Sequence, residues 1–522
     1  MILFRKTFIS NRLRKDGFKL PIDFFHSPIL VIILPLIGGF ITPGISLIAD
    51  KYNKKKYRDY IVFGFMAATI FFIINTAIYT WGDIYVYPLG GWLPPLGISV
   101  VIDGLGVLIG LIVASISLLI LYYSLRYMKD SKRLSQFYTL MLFLIAGMLG
   151  VAFTGDIFNL YVFFEIMSIA SYALIAFYRT SYSIEASLKY IIIGSLGTGF
   201  ILTGIVLLYA MTGTLNIADL AVRMSIISGE GFPLLSLLAL GFLLVGFGMK
   251  VGMIPFHAWL PDAYQGAPIP VTTIMAGGTG IIGISSLLRV VFIIYGEGLV
   301  NNLLLGLGLL TMIIGALLAL KQYNLKRLLA YSSISQIGYV LFGLGIGNSL
   351  GLSSGLYHLM NKAIFKSLLF LLAGIIITKL RTDDMRKLGG LASKMPVTAV
   401  FFAVGSLALV GIPPLNGFVS KAGIIYGGMQ AGHHVLSIIA AFSATLTVIY
   451  ILRAFILIFL GEEGTAVKHY SGKRDYHLLL PAFILVLACL AFGIFPNLGF
   501  NAVAGAEEIL LNPSLYIQAV FP

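Results

Sequence analysis

The chain has 522 residues, of which 59% are apolar and 11% charged, against roughly 45–50% and about 25% in an average soluble domain. Apolar runs of about 20 residues recur from end to end, which leaves no soluble catalytic domain. The 35 Lys+Arg against 21 Asp+Glu give +14, but these cations fall mostly in short gaps between apolar runs, where they orient helices against a bilayer, and they argue against a nucleic-acid partner. One cysteine, Cys489, excludes an internal disulfide, a CxxC pair and a cysteine-held iron–sulfur cluster, so any electron chemistry belongs to a partner.

Residues 1–27 form a basic segment carrying Arg5, Lys6, Arg12, Arg14, Lys15 and Lys19. The run that follows holds Pro35 and Pro43 and no small-residue cleavage pattern, so the segment reads as retained. Hydropathy windows then predict spans near 28–49, 61–79, 97–125, 137–154, 157–178, 188–211, 234–258, 268–294, 300–320, 328–346, 352–377, 396–425, 434–460 and 477–496. Lipid offers the backbone no partners, and runs this long are not barrel strands. The expected fold is an all-α polytopic membrane bundle of about fourteen helices.

Alternating loops divide the charge unevenly. One side collects Lys51 to Arg58, Arg126 to Arg133, Arg179, Lys321, Lys326, Arg327, Lys379 to Lys394, Lys468, Lys473 and Arg474, while the other offers little beyond Arg223. The positive-inside rule makes the first side cytoplasmic and places both termini outside a plasma membrane. The basic N-terminal segment opposes that placement.

Ionisable groups inside apolar runs cost about 2.5–3.5 kcal/mol each on insertion scales and so need a compensating role. Glu165 follows Asp156 by nine residues, which at 1.5 Å per residue puts it about 13–14 Å deep; it reads as a proton-binding group, with a structural carboxylate as the alternative. Asp156 reads equally as a helix N-terminal charge. Lys250 precedes Gly252, Pro255 and Pro261, and Lys421 follows Pro413 and Pro414. Two apolar runs interrupted by proline, one in each half, point to internal repeats around a central site, although either lysine could instead snorkel to the interface. His257 and Asp262 flank the first break as relay or capping groups. His358, Lys362 and Lys366 follow one another at i, i+4 and i+8 in steps of roughly 6 Å. Like charges so placed repel, so the three cannot all stay charged once buried, and water must bridge them. A basic patch at a helix end is the alternative. Zinc is disfavoured, because lysine is not among its usual ligands. Arg289 and Arg453 are expected to snorkel. Gly278, Gly280 and Gly283 form a lone GxGxxG that reads as helix packing, and no Walker motif is present.

The ordered motifs TGDIFNLYVFFEIMSIASYALI, MIPFHAWLPDAYQGAP, LKRLLAYSSISQIGY, HLMNKAIFKSLLFLLAG and VGIPPLNGFVSKAGI resemble the proton-translocating antiporter-like subunits shared by respiratory complex I, Mrp-type cation/proton antiporters and membrane-bound hydrogenases. The likeness is strongest to the D subunit of Mrp antiporters and its hydrogenase counterparts. It implies fourteen helices with two inverted five-helix repeats and broken seventh and twelfth helices. The corresponding segments are 28–136 (helices one to three), 137–294 (first repeat), 300–460 (second repeat), 477–496 (last span) and 497–522 (a tail, without the long lateral helix of the largest complex I member). By motif position the resemblance makes Glu165 the helix-five glutamate, Lys250 its partner lysine, His358, Lys362 and Lys366 the helix-eleven group, and Lys421 the terminal lysine. Two departures stand out. Lys362 replaces a frequent histidine, and Ile281 stands where the family often has a lysine, leaving a gap to be filled by water or another side chain. Asn324 replaces a commonly acidic position.

The resemblance implies a non-redox subunit with no cofactor or metal of its own, working beside other membrane subunits in an Mrp-like, complex I-like or hydrogenase-like assembly and moving H+, with or without Na+ exchange. Its rivals are a stand-alone secondary transporter of an organic solute and a non-pumping membrane anchor of a redox complex.

Overall fold

The computed structural model describes residues 27–52, 55–79, 83–229, 231–296, 298–468, 470 and 475–521. The basic N-terminal cations, Lys54, Lys473 and Arg474 lie outside the described residues. In chain order come α1 (Ser27–Lys51), α2 (Lys55–Tyr79), an antiparallel hairpin of β1 (Tyr85–Pro88) and β2 (Ser99–Ile102), α3 (Gly104–Tyr127), α4 (Leu134–Phe153), α5 (Ile157–Ile175) and α6 (Ser181–Thr212). Next are α7 (Ile217–Ile227), α8 (Leu234–Val251), α9 (Trp259–Gly266), α10 (Ile269–Tyr295), α11 (Asn301–Leu320), α12 (Leu325–Gly345) and α13 (Ser349–Leu380). The chain continues with α14 (Pro396–Val410), α15 (Asn416–Gln430), α16 (His434–Phe459), α17 (Tyr476–Ile494), α18 (Pro496–Leu511) and α19 (Pro513–Val520).

Among the described residues 13 helices are long and apolar enough to cross a membrane. The remaining expected span is the pair α14 and α15, split around Gly411 to Leu415. The protein is a multi-pass, almost wholly helical membrane protein. Two regions depart from the hydropathy reading. Val100, Val101 and Ile102, which extend the apolar run of the third span, form β2 instead, because β-branched residues suit a strand as readily as a helix. Beyond the last span, Pro496 and Pro513 occupy first-turn positions, where a missing N–H costs nothing, and start α18 and α19. Helix α18 packs on α3 and α13.

Two helical hairpins are closed in the same manner. Asp156 caps α5 and its backbone pairs with Asn216 just past α6, with Ile157 N donating to Leu215 O at 2.9 Å and Ile217 N to Gly155 O at 3.0 Å. Asn324 caps α12 and pairs with Asp384 just past α13, with Leu325 N donating to Asp383 O at 2.8 Å and Met385 N to Tyr323 O at 3.0 Å. The second bridge follows the first by 168 positions at both residues (324 − 156 and 384 − 216), and α6 and α13 each have 32 residues. Five spans separate the two caps. That number is odd, so the hairpins enter the membrane from opposite sides.

Helices α10, α12 and α13 form the centre. Their apolar windows are 100%, 94% and 83% buried, against 33% for α2 and α16. Central α12 nevertheless has the lowest mean hydropathy of the spans, 1.3, because polar residues are tolerated where protein rather than lipid surrounds them. It lies tightly on α11: a Cβ on Gly338 would stand 2.3 Å from Met312 N, and one on Gly308 2.5 Å from Phe342 N. Small residues allow that close backbone approach.

Candidate functional site: a column of buried lysines and a histidine

The two broken spans build the ends of the column. Helix α8 stops where Gly252 takes φ 75°, a left-handed conformation that suits glycine, and Trp259 Nε1 ties the break back to Met249 O at 2.9 Å. Lys250 is therefore held in the last turn of α8, buried, where the helix dipole favours a cation. Its Nζ donates to Ser168 Oγ of α5 at 2.8 Å. Helix α14 stops at Gly411, φ 89°. Lys421 reaches back from α15 to the freed carbonyls of Leu409 and Val410, at 2.8 and 3.2 Å, and its Nζ lies 4.4 Å from the centroid of the Tyr339 ring, a cation–π contact.

Between these ends stands α13, from which His358, Lys362 and Lys366 project, all fully or almost fully buried. Although they share one helix face, they reach different neighbours. His358 Nε2 meets Gln336 Oε1 of α12 at 3.2 Å and Nδ1 meets Ser420 Oγ of α15 at 2.9 Å. Lys366 donates to Leu329 O of α12 at 3.2 Å and to Ser332 Oγ. Lys362 turns to α10 and donates to Ala276 O at 3.4 Å. That carbonyl belongs to a π-turn, Met275–Thr279, and such turns displace carbonyls from the regular helical ladder. Asn361, Asn416 and Ser420 are cross-linked beside His358, Asn416 Nδ2 donating to Asn361 Oδ1 at 2.9 Å. The hydroxyls of Ser354 and Ser367, on the same helix, are buried without a protein partner.

Ile281 is fully buried on α10, just beyond the π-turn. Lys362 reaches this part of α10 from α13, its Nζ 3.3 Å from where a Cβ on the neighbouring Gly280 would stand.

Glu165 differs from the rest. It is only half-buried, and its neighbours at i−7, i−3 and i+4, Phe158, Val162 and Ile169, are 42%, 38% and 62% exposed. The carboxylate opens onto the outer wall of the chain. Ser168, one turn on, faces inward and holds Lys250, so in this conformation Lys250 bonds the serine and not the glutamate.

The other sequence candidates sit apart from the column. Asp262 is paired with Lys189 at 2.8 Å and with Arg327, in a cluster that joins α9, α6 and α12. His257 lies half-buried in the α8–α9 break, its ring 6.4 Å from that of Tyr331. Asp156 accepts from Asn159 N at 2.7 Å as the α5 cap. Arg289 does not snorkel. It is buried in a bidentate pair with Asp103, at 2.7 and 2.8 Å, a geometry in which a guanidinium tolerates burial. Arg453 donates to Leu320 O and stacks 4.3 Å from the Tyr323 centroid. Several partners are not singled out by the sequence: Ser168, Ser332, Gln336, Asn361, Asn416, Ser420 and Lys326. For α12 a signal is present, since Ser332 and Gln336 stand at i and i+4 inside a span.

Residues 154–447 match the family described as NADH:quinone oxidoreductase/Mrp antiporter, TM, and residues 93–138 match the N-terminal region of chain 5 of NADH-ubiquinone oxidoreductase (complex I). The chain belongs to this family. It is 35% identical to the D subunit of the Na(+)/H(+) antiporter of Bacillus subtilis over 94% of this chain and 98% of that one. It is 36% identical to the N subunit of the NADH-quinone oxidoreductase of Desulforudis audaxviator, again over 94% and 98%. Among solved structures it resembles a chain of the Mrp complex from Dietzia sp. (TM-score 0.85, 26% identity, 96% of this chain and 99% of that one). A chain of the membrane-bound sulfane sulfur reductase, an archaeal respiratory membrane complex, is equally similar (TM-score 0.86, 29% identity, 95% and 99%).

Proposed function

We propose that this chain is the proton-conducting membrane subunit of a multi-subunit ion-translocating complex of the Mrp or complex I-like kind, and that Glu165, Lys250, Lys362, His358, Lys366 and Lys421 carry the proton. One observation bears most of the weight: Lys250, Lys362, Lys366, Lys421 and His358 are buried in the bundle, each anchored to a hydroxyl, an amide or a backbone carbonyl rather than to a carboxylate. A permanently charged, unpaired lysine at such depth is costly, whereas a carrier that gains and loses a proton has use for such a site. The half-exposed Glu165 supports assembly with partner subunits, because a carboxylate on the outer wall of a span is costly against lipid and is served by a polar neighbour.

In this reading Lys250 exchanges between Ser168, where it rests here, and Glu165 one turn away. Pairing with the carboxylate stabilises the ammonium; separation removes that stabilisation and sends the proton toward Lys362 and on to Lys421. A change of one pKa unit is worth about 1.4 kcal/mol, a useful part of a membrane potential. The column offers amines and an imidazole rather than the oxygen cage a hard cation prefers, so coupling to Na+, which the relatives' names support, is assigned to partner subunits. We read the side bearing Arg327 and Asp384 as cytoplasmic, which places both termini outside.

The test uses the purified complex in sealed vesicles, with proton movement followed by a pH-sensitive dye. Lys250→Ala and Glu165→Gln are each expected to lower the rate by tenfold or more while the complex still assembles. Unchanged rates in an intact complex would make the chain a membrane anchor.

A further inference from the structure

Lys326 reads from sequence as one of the loop cations, yet it is 6% exposed. It stands in the first turn of α12, and its Nζ donates to Gln265 O at 2.7 Å and to Ala267 O at 2.6 Å, at the C-terminal end of α9. Arg327 beside it pairs with Asp262. Lys326 therefore separates two regions of different character. Outward lies the half-exposed cluster of Asp262, Arg327, Lys189 and Gln265. Inward, two tracks lead to the column. Along α10, Ala267 O also receives Thr272 Oγ1 at 3.4 Å, and the π-turn carbonyl of Ala276, four residues further, receives Lys362. Along α12, Leu329 O, one turn past Lys326, receives Ser332, Ser333 and Lys366 together.

We propose that Lys326 is the loading residue at which protons from the Arg327–Asp384 side join the buried column. Resting on the proton-conducting reading above, this assigns it a mouth. A lysine fits the position because its ammonium can give up a proton and turn on a flexible stem, whereas a guanidinium stays charged. The alternative is a positioning residue that only caps α9; such a residue needs a donor and a positive charge but no proton exchange.

Four versions of the assembled complex separate the two roles in the same vesicle assay: wild type, Lys326→Arg, Lys326→Gln and Lys326→His. A loading role predicts that Lys326→Arg and Lys326→Gln fall at least tenfold, with Lys326→His well above both, because histidine titrates near neutral pH. A cap predicts that Lys326→Arg matches wild type, which overturns the proposal. Should the arginine variant not assemble, histidine against glutamine decides alone, and equal rates for those two overturn it. Failure of wild type to move protons would instead remove the proposed function.

Discussion

In the proton-conducting reading the hydrogen bond from Lys250 to Ser168 is a resting contact, and the working one is with Glu165. Ser168 lies three residues, about one helical turn, from Glu165, so in that reading a swing of the lysine stem carries the ammonium from the inward serine to the half-buried carboxylate. Ser168→Ala is expected to leave the complex assembled and to change the proton rate severalfold, because Lys250 loses its resting acceptor; an unchanged rate in the vesicle assay would assign Ser168 to packing. Glu165, Lys250 and the α13 group are legible from the sequence, since a charge inside an apolar run announces itself. Their partners are not, because a serine or glutamine in a span costs too little to stand out. Arg289 misleads for a related reason: a cation near a helix end reads as snorkelling unless its carboxylate, 186 positions away in the chain, is known.

The broken helices depend on their glycines. Gly252 has φ 75°, and a Cβ there would come within 2.6 Å of Leu260 Cδ1. Gly252→Ala is expected to cost about 1–2 kcal/mol from the left-handed backbone alone, seen as a lower unfolding midpoint of the purified complex. The prolines make the breaks readable, but not the π-turn in α10, since Met275–Thr279 carries no proline and a π-turn has no hydropathy signature. The helix ends give a pH dependence. Burial raises the pKa of Asp475, at the start of α17, but the hydrogen bond and charge of Arg126 on α3 outweigh this and hold it below the usual 3.8. A lowered folded-state value adds stability above the unfolded pKa and loses it as pH falls through the folded one. Arg126 is 45% exposed, so solvent screens the pair and its effect is small. Asp475→Asn should lower the unfolding midpoint slightly at neutral pH, and the difference should shrink as pH falls below 3.8 and through the folded-state value.

The bundle as a whole joins two hairpins of opposite orientation through a polar core. Span number and order follow from hydropathy and charge alternation, while the helical course of 496–520 and the β-hairpin do not, because neither has the length or periodicity of a span. The Asp103–Arg289 pair fastens the start of α3 to α10, with the Tyr516 ring of α19 5.7 Å from the guanidinium. Arg289→Met would strand a buried carboxylate and is expected to cost about 3–5 kcal/mol, read as loss of intact complex rather than as a slower proton rate. In the proton-conducting reading Lys362 carries the path between α13 and α10, since it extends from α13 to the π-turn carbonyl of Ala276. Lys362→Met keeps the apolar stem and removes only the amine. In sealed vesicles holding the assembled complex, proton movement should fall to background in this variant; a rate equal to wild type would contradict conduction along the buried column.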